Sequence, residues 1–172
     1  MGVRKVRLWP DLVLTQTCAR VELSEPNLNE LIKDMFDSMY NANGRGLAAP
    51  QIGVMKQIFV VDMTWKESTR DPRVFINPQI TETFGDTVVM IEQCLSIPDT
   101  PMPVARPERI YLHWSNIDGE LASAFFDGIL ARCIQHELDH LNGIVIFDHQ
   151  TPQDRAKLEV AYAPETFYFM AL

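Results

Sequence analysis

The feature that most constrains this 172-residue chain is an H-E-x-x-H pattern formed by His136, Glu137 and His140. Residues four positions apart lie one turn apart on the same face of an α-helix, so both imidazoles can reach one metal ion. Glu137 is then close enough to act on a water molecule held by that ion. The pattern predicts hydrolysis at a metal centre. Because so short a pattern also arises by chance on a solvated helix face, the prediction depends on the rest of the chain.

A catalytic site of this kind needs a third protein ligand and one open position for water or substrate. A histidine soon after the glycine is excluded, because three apolar residues follow Gly143. Glu159 or Glu165 could serve in principle, but only 32 residues follow His140, which is little chain for a second lobe. His149 follows an apolar run and is more typical of a surface histidine.

The remaining candidate is Cys94, which follows an alternating apolar stretch at residues 87–91 and precedes a turn marked by proline. A cysteine at the end of such a strand can point at a helix that crosses beneath it. The alternative is an inert core cysteine, because free cysteine packs as a small apolar side chain. That alternative suits Cys18 and Cys133. Cys133 precedes Glu137 by one helical turn and is expected to line the pocket without binding the metal.

Three separated segments resemble the motifs of the peptide deformylase family, in the order in which the family has them. Residues 44–53 resemble G-x-G-L-A-A-x-Q, residues 92–96 are close to E-G-C-L-S, and residues 135–143 match Q-H-E-x-D-H-L-x-G. The resemblance covers roughly residues 5 to 150. It implies a metal-dependent hydrolase that removes the N-formyl group from the N-terminal methionine of nascent polypeptides.

The resemblance also implies roles for individual residues. Glu137 would move the proton as general acid and base. The Gln51 side-chain amide and the Leu95 backbone N–H would stabilise the negative charge of the tetrahedral intermediate. The implied metal ligands are Cys94, His136 and His140.

Four positions are expected beside the substrate. Gly44 and Gly46 would permit positive φ and close approach of an extended peptide, although Asn43 and Gly44 also suit the end of the preceding helix. Arg45 lies at a pocket-wall position that is often apolar in the family. Gln93 stands where the family has glycine, and its side chain could shift the substrate range.

Three prolines at 98, 101 and 103 are expected to stiffen the loop that follows Cys94.

Glu92 and Arg106 are expected to orient a metal ligand, with a plain surface ion pair as the alternative. The site is expected to bind one divalent metal. The ligand types suit Zn²⁺, the resemblance implies Fe²⁺ as the working ion, and Ni²⁺ or Co²⁺ could occupy purified protein. Two other functions stay open: a related metalloamidase with a shifted acyl-peptide substrate, and a non-catalytic metal-bearing module. Glu137 argues against the second, because a structural site has no need of a base.

The resemblance implies an N-formylmethionyl peptide as the partner, and composition argues against several other partners. The net charge of −8 and the absence of a basic run argue against a broad nucleic-acid surface, so any ribosome contact would be transient and local. No stretch of 18 apolar residues and no signal-peptide pattern occurs, which predicts a cytoplasmic protein without a membrane segment. Three cysteines do not form a disulfide framework.

Hydrophobic spacing predicts an amphipathic helix over residues 28–39, a second helix with both histidines over 126–141, and a short polar helix opened by Thr151 and Pro152. An apolar tail at 167–172 is expected to pack on the body or on a second subunit. The pattern predicts one domain over residues 1–172 with an α+β fold, in which short, mostly antiparallel sheets surround a central metal-binding helix. Strands are expected at residues 57–62, 74–77, 87–93, 109–114 and 120–124.

Overall fold

The computed structural model of the chain describes residues 2–162. Its helices are α1 (Leu28–Asn41), α2 (Gly128–Leu141) and α3 (Pro152–Ala161). Its strands are β1 (Gly46–Ala48), β2 (Ile58–Val61), β3 (Arg73–Cys94), β4 (Ile97–Ser115) and β5 (Leu121–Asp127). Short 3₁₀ helices cover Leu12–Thr15, Ala49–Ile52 and Ile146–His149.

The five strands form one antiparallel sheet in the order β1-β2-β3-β4-β5, and each strand pairs with the next along the chain. This arrangement confirms the α+β fold. Helix α1 covers residues 28–39, which the apolar spacing predicted to be helical. Helix α3 begins at Pro152, with the Thr151 hydroxyl accepting the backbone N–H of Asp154 at 3.2 Å. The expected apolar tail lies outside the described residues.

Two strands are much longer than the short strands that were predicted. The segments expected at 74–77 and 87–93 both belong to the single 22-residue strand β3. The segment expected at 109–114 is the second part of β4, which starts at Ile97. The proline-containing segment after Cys94 is therefore strand, where we expected a loop. Because β5 pairs only with residues 109–115 of β4, residues 97–108 form an edge of the sheet. An edge tolerates proline where the missing N–H would have faced solvent.

Helix α2 begins two residues later than predicted, because Phe126 pairs with Ile110 as part of β5. One side of α2 packs on the sheet through Ala131, Ile134 and Leu141, which are all buried. The histidines lie on another side of the helix and face the end of β3. Among residues 2–162, no helix is long and apolar enough to cross a membrane.

Gly143 ends α2 at a point where only glycine fits. Its φ is +73°, and a Cβ there would lie 2.6 Å from the backbone of Thr15. The glycine of the third motif thus lets the chain leave the helix and pass close to the N-terminal segment.

Candidate active site

A cysteine and two histidines converge where β3 ends beside α2. The potential ligand atoms of Cys94, His136 and His140 all lie within 4.8 Å of one another, and all three residues are buried. Cys94 Sγ lies 3.3 Å from His140 Nε2. Ligand atoms bound to one tetrahedral ion at about 2.0–2.3 Å are separated by about 3.5 Å. The spacing of this group therefore fits a shared divalent metal.

The surroundings of Cys94 favour its thiolate, which is the form of cysteine that binds metals. Burial alone would raise the pKa of this thiol. The charge of His140 and the hydrogen bonds with both histidines outweigh burial and hold the pKa of Cys94 well below its ordinary value.

Glu137 lies beside this group in a space that a glycine keeps open. Its side chain is buried, and Oε2 has no hydrogen-bond partner among the described residues. Burial raises the pKa of Glu137 to about 7, although the two histidine charges oppose the shift. A Cβ on Gly46 would lie 2.3 Å from Glu137 Oε1. The carboxyl group can therefore accept and release a proton near neutral pH, provided that residue 46 has no side chain.

A buried network fixes the orientation of His136. Its Nδ1 lies 3.0 Å from Glu92 Oε2, which leaves Nε2 free for a metal. Arg106 donates to both oxygens of Glu92, from Nε at 2.7 Å and from Nη2 at 3.0 Å. Arg132 donates to the same carboxylate at 2.8 Å. Burial opposes ionisation of Glu92, but the bonds from His136 and Arg106 outweigh it and hold the pKa of Glu92 well below its ordinary value.

Gln51 faces the same group from the 3₁₀ helix after β1. It is buried, and its Oε1 accepts the backbone N–H of Ala48 at 2.8 Å, so its Nε2 turns towards the site. Nε2 lies 3.2 Å from Ser96 Oγ and 3.8 Å from Cys94 Sγ. Leu95 and Ser96 form the tight turn between β3 and β4.

Most of these residues, though not His140 or Arg106, line one open cavity of about 740 Å³, a size suited to part of a peptide. All three sequence motifs contribute to its wall. The lining includes Gly44, Arg45, Gly46, Gln51, Glu92, Gln93, Cys94, Leu95, Cys133, His136 and Glu137.

The sequence model of the polypeptide deformylase family matches residues 3–156 of the chain. The chain belongs to this family. It is 43% identical to a peptide deformylase of Prochlorococcus marinus strain MIT 9312 over 151 residues, which cover 87% of this chain and 75% of that protein. It is 42% identical to a peptide deformylase of Zymomonas mobilis, with 87% and 86% covered.

Solved peptide deformylase structures share the fold. The crystal structure of the Legionella pneumophila protein superposes with a TM-score of 0.88 at 34% identity, covering 98% of this chain and 97% of that one. The Synechococcus elongatus protein in complex with actinonin gives a TM-score of 0.84 at 38% identity, covering 94% and 91%. The deformylase family consists of enzymes, and this member carries a Cys/His/His group that can hold a metal.

The structure shows which of the candidate third ligands lie beside the two histidines of this deformylase-family chain. Cys94 joins the two histidines, whereas His149 is exposed and pairs with Asp139 at 2.7 Å. Glu159 pairs with Arg155 at 3.0 Å on α3. Glu165 lies outside the described residues.

The positive φ expected at the first-motif glycines is wrong. Neither Gly44 nor Gly46 has a positive φ; the left-handed residue at this corner is Asn43, at φ +57°. Both glycines also lie in confined space, because a Cβ on Gly44 would lie 2.7 Å from Leu95 Cδ1 and one on Gly46 would lie 2.3 Å from Glu137 Oε1. Asparagine tolerates the left-handed region better than most residues, which explains how the turn forms without glycine.

The alternative of a surface ion pair between Glu92 and Arg106 is also wrong, because their side chains are only 6% and 4% exposed. The network contains a residue that our sequence reasoning missed. Arg132 lies one turn before His136 and donates to Glu92 and to the carbonyls of Val88 and Val104. Its signal in the sequence was an arginine among apolar neighbours, one helical turn before a ligand.

Proposed function

We propose that this protein hydrolyses the N-formyl group from peptides that begin with formylmethionine. Membership of the deformylase family supports this reaction class. The observation that carries the proposal is the group of Cys94, His136 and His140 with Glu137 beside it, at a cavity that residues of all three motifs line.

The proposed metal ligands are Cys94, His136 and His140. The donor set fits a divalent cation: a thiol with a lowered pKa, a histidine held by Glu92 so that Nε2 is free, and a spacing suited to one ion. We propose Fe²⁺ as the working ion, with Zn²⁺, Ni²⁺ or Co²⁺ as possible occupants of purified protein. A divalent cation supplies Lewis-acid chemistry that polarises a carbonyl and makes water a competent nucleophile near neutral pH.

In the proposed mechanism, Glu137 accepts the proton of the attacking water and delivers it to the amine that leaves. A carboxyl group with a pKa of about 7 suits both steps. Gln51 Nε2 and the backbone N–H of Leu95 are proposed to donate hydrogen bonds to the oxygen of the formyl carbon as it gains negative charge. The bond from Ala48 to Gln51 holds this amide in place before the reaction.

The proposed substrate path runs along residues 43–46, where the absence of side chains at Gly44 and Gly46 lets a peptide backbone approach. Arg45 and Gln93 are proposed to contact the peptide, since both line the cavity. We propose the cytoplasm as the setting and only a local, transient contact with the ribosome, in keeping with the net charge of −8.

Formate release tests the proposal. Protein prepared without oxygen and loaded with Fe²⁺, Ni²⁺ or Co²⁺ is expected to release formate from formyl-Met-Ala-Ser. The acetylated form of the same peptide is the matched control, because it adds one methyl group to the acyl carbon. Absence of formate with every metal would contradict the proposed function.

A second candidate is a related amidase with a shifted acyl-peptide substrate, and Gln93 is the observation that favours it. This side chain is exposed and lines the cavity immediately before Cys94, where the family motif has glycine. It occupies space beside the proposed path of the peptide backbone.

Replacing Gln93 by glycine is expected to raise kcat/KM for formyl-Met-Ala-Ser by about 10-fold if Gln93 restricts the peptide, since one misplaced contact of this kind changes rates by one to two orders of magnitude. Steady-state kinetics with formyl, acetyl and propionyl peptides measure the effect. Gln79→Gly, on the same strand outside the cavity, is the control. An unchanged rate together with an unchanged acyl preference removes the second candidate.

A further inference from the structure

Part of the cavity wall is formed by the glycine-containing first motif and by the segment 62–66, and hydrogen bonds hold the two segments together. Trp65 Nε1 donates to the carbonyl of Gly44 at 2.8 Å. Lys66 Nζ donates to the carbonyl of Asn43. The second segment is therefore attached to the residues along which the substrate backbone is proposed to run.

The buried side chain of Asp62 makes this segment rigid. Its Oδ1 accepts the backbone N–H groups of Thr64, Trp65 and Asp71, each at 3.2 Å. A carboxylate bonded to several N–H groups fixes a turn, because releasing it would leave buried polar groups unpaired. Lys66 thus extends from a fixed backbone position.

Two cationic side chains, Arg45 and Lys66, belong to this part of the wall. Lys66 is exposed and forms no ion pair within the described part of the chain; it lies over the Trp65 ring at 5.5 Å. Arg45 donates to the Met63 carbonyl and to Glu67, and its side chain is 34% exposed. Two exposed carboxylates lie near these cations: Glu67, which pairs with Arg45, and Asp99 of the described cavity lining. Lys66 is therefore the cation that can meet a substrate carboxylate without giving up an acidic partner among the described residues.

We propose that Arg45 and Lys66 select formylated peptides with an acidic side chain at the second or third position. The inference rests on the proposed deformylase function. With the formyl group held at the Cys/His/His group, an extended peptide that follows residues 43–46 advances about 3.3 Å per residue towards Arg45 and Lys66. A carboxylate after the methionine then meets both cations, whereas an ammonium group at the same place is repelled.

The expected selectivity is modest and sensitive to salt. An exposed ion pair changes an equilibrium by about 2- to 5-fold, and screening weakens it as the Debye length shrinks to about 3 Å in 1 M salt. We therefore expect kcat/KM to be about 5-fold higher for glutamate than for glutamine, and lower again for lysine. The preference should fall towards unity in 1 M NaCl.

The test measures formate release from formyl-Met-Xaa-Ala-Ser and formyl-Met-Ala-Xaa-Ser peptides, with glutamate, glutamine or lysine at Xaa. Arg45→Gln/Lys66→Gln is expected to abolish the ratio of glutamate to lysine substrates. Lys33→Gln/Arg73→Gln is the matched control, because it removes the same number of positive charges. Both of its cations lie outside the cavity, where they pair with Asp37 and Asp71. Arg45→Lys/Lys66→Arg keeps both charges and is expected to keep the preference.

Each outcome bears on the proposal. Loss of the ratio in the first variant alone supports it. An equal loss in the Lys33/Arg73 variant assigns the effect to overall charge and overturns it, as does a wild-type enzyme that treats glutamate, glutamine and lysine alike. Absence of formate from every peptide, the glutamine series included, is a failure of the deformylase function itself.

Discussion

Replacing Glu137 by glutamine is expected to lower kcat for formyl-Met-Ala-Ser by about 10³-fold, within the range of 10²–10⁴ for a positioned general acid–base. Glutamine has the same shape but cannot accept the proton of the attacking water. The carboxyl group that it replaces is buried, with a pKa raised to about 7. Metal content should stay at the wild-type level, since Glu137 is not among the proposed ligands.

The measurement combines steady-state formate release with elemental analysis of the same preparation. Glu82→Gln is the control, because Glu82 is an exposed carboxylate on β3. A Glu137→Gln protein that holds its metal and keeps more than about a tenth of wild-type kcat would remove Glu137 from the mechanism. Loss of metal and activity together would show instead that Glu137 contributes to metal binding.

The candidate site could be anticipated from the sequence because its parts are local. The spacing of His136 and His140 defines one face of a helix, and Cys94 ends an apolar alternating segment; both inferences need only the periods of helix and strand. What brings β3 and α2 together is the packing of α2 on the sheet, which involves residues far apart in sequence. The family resemblance, rather than the spacing, supplied that information.

Other features could not be anticipated because they depend on long-range pairing. Proline normally indicates a loop, and it is part of strand β4 here only because β5 leaves residues 97–108 at an edge. The space required at Gly46 depends on Glu137, which lies 91 positions away. In the sequence, Arg132 is an ordinary helical arginine. Its role depends on Glu92 and on the carbonyls of Val88 and Val104, which the fold brings to it from β3 and β4.

Replacing Glu92 by glutamine is expected to lower the free energy of unfolding by about 3–5 kcal/mol, the usual result of removing one partner from a buried ion pair. Arg132 would remain buried, with its side chain 10% exposed, beside a neutral amide, whereas Arg106 would keep its ion pair with Asp139 at 2.8 Å. For a chain of this length the midpoint of thermal unfolding should fall by roughly 10 °C. The metal should also bind about 10- to 100-fold more weakly, because His136 loses its carboxylate partner.

Asp71→Asn is the matched control, because it removes the carboxylate partner of Arg73. Arg73 lies on β3, as Glu92 does, but its ion pair with Asp71 is at the surface. The Arg73–Asp71 pair has side chains 44% and 56% exposed, so about 0–1 kcal/mol is expected. Both substitutions reduce the net negative charge equally, so their difference isolates burial. Equal destabilisation by the two variants, measured by urea unfolding, would contradict the structural role of Glu92. Adding Arg132→Met to Glu92→Gln is expected to recover part of the loss, because it removes a buried cation without a partner.

The loss of unfolding free energy caused by Glu92→Gln is expected to depend on pH. The pKa of Glu92 in the folded chain lies below its ordinary value of 4.5. A carboxyl group with a lowered folded pKa stabilises the fold at all pH values above the unfolded pKa, and this contribution disappears as the pH falls through the folded pKa. The difference in unfolding free energy between wild type and Glu92→Gln should therefore be constant from pH 8 to about pH 5 and should shrink below about pH 4.5. A difference that already changes between pH 8 and pH 6 would contradict this assignment, because a carboxylate with a lowered pKa does not titrate in that range.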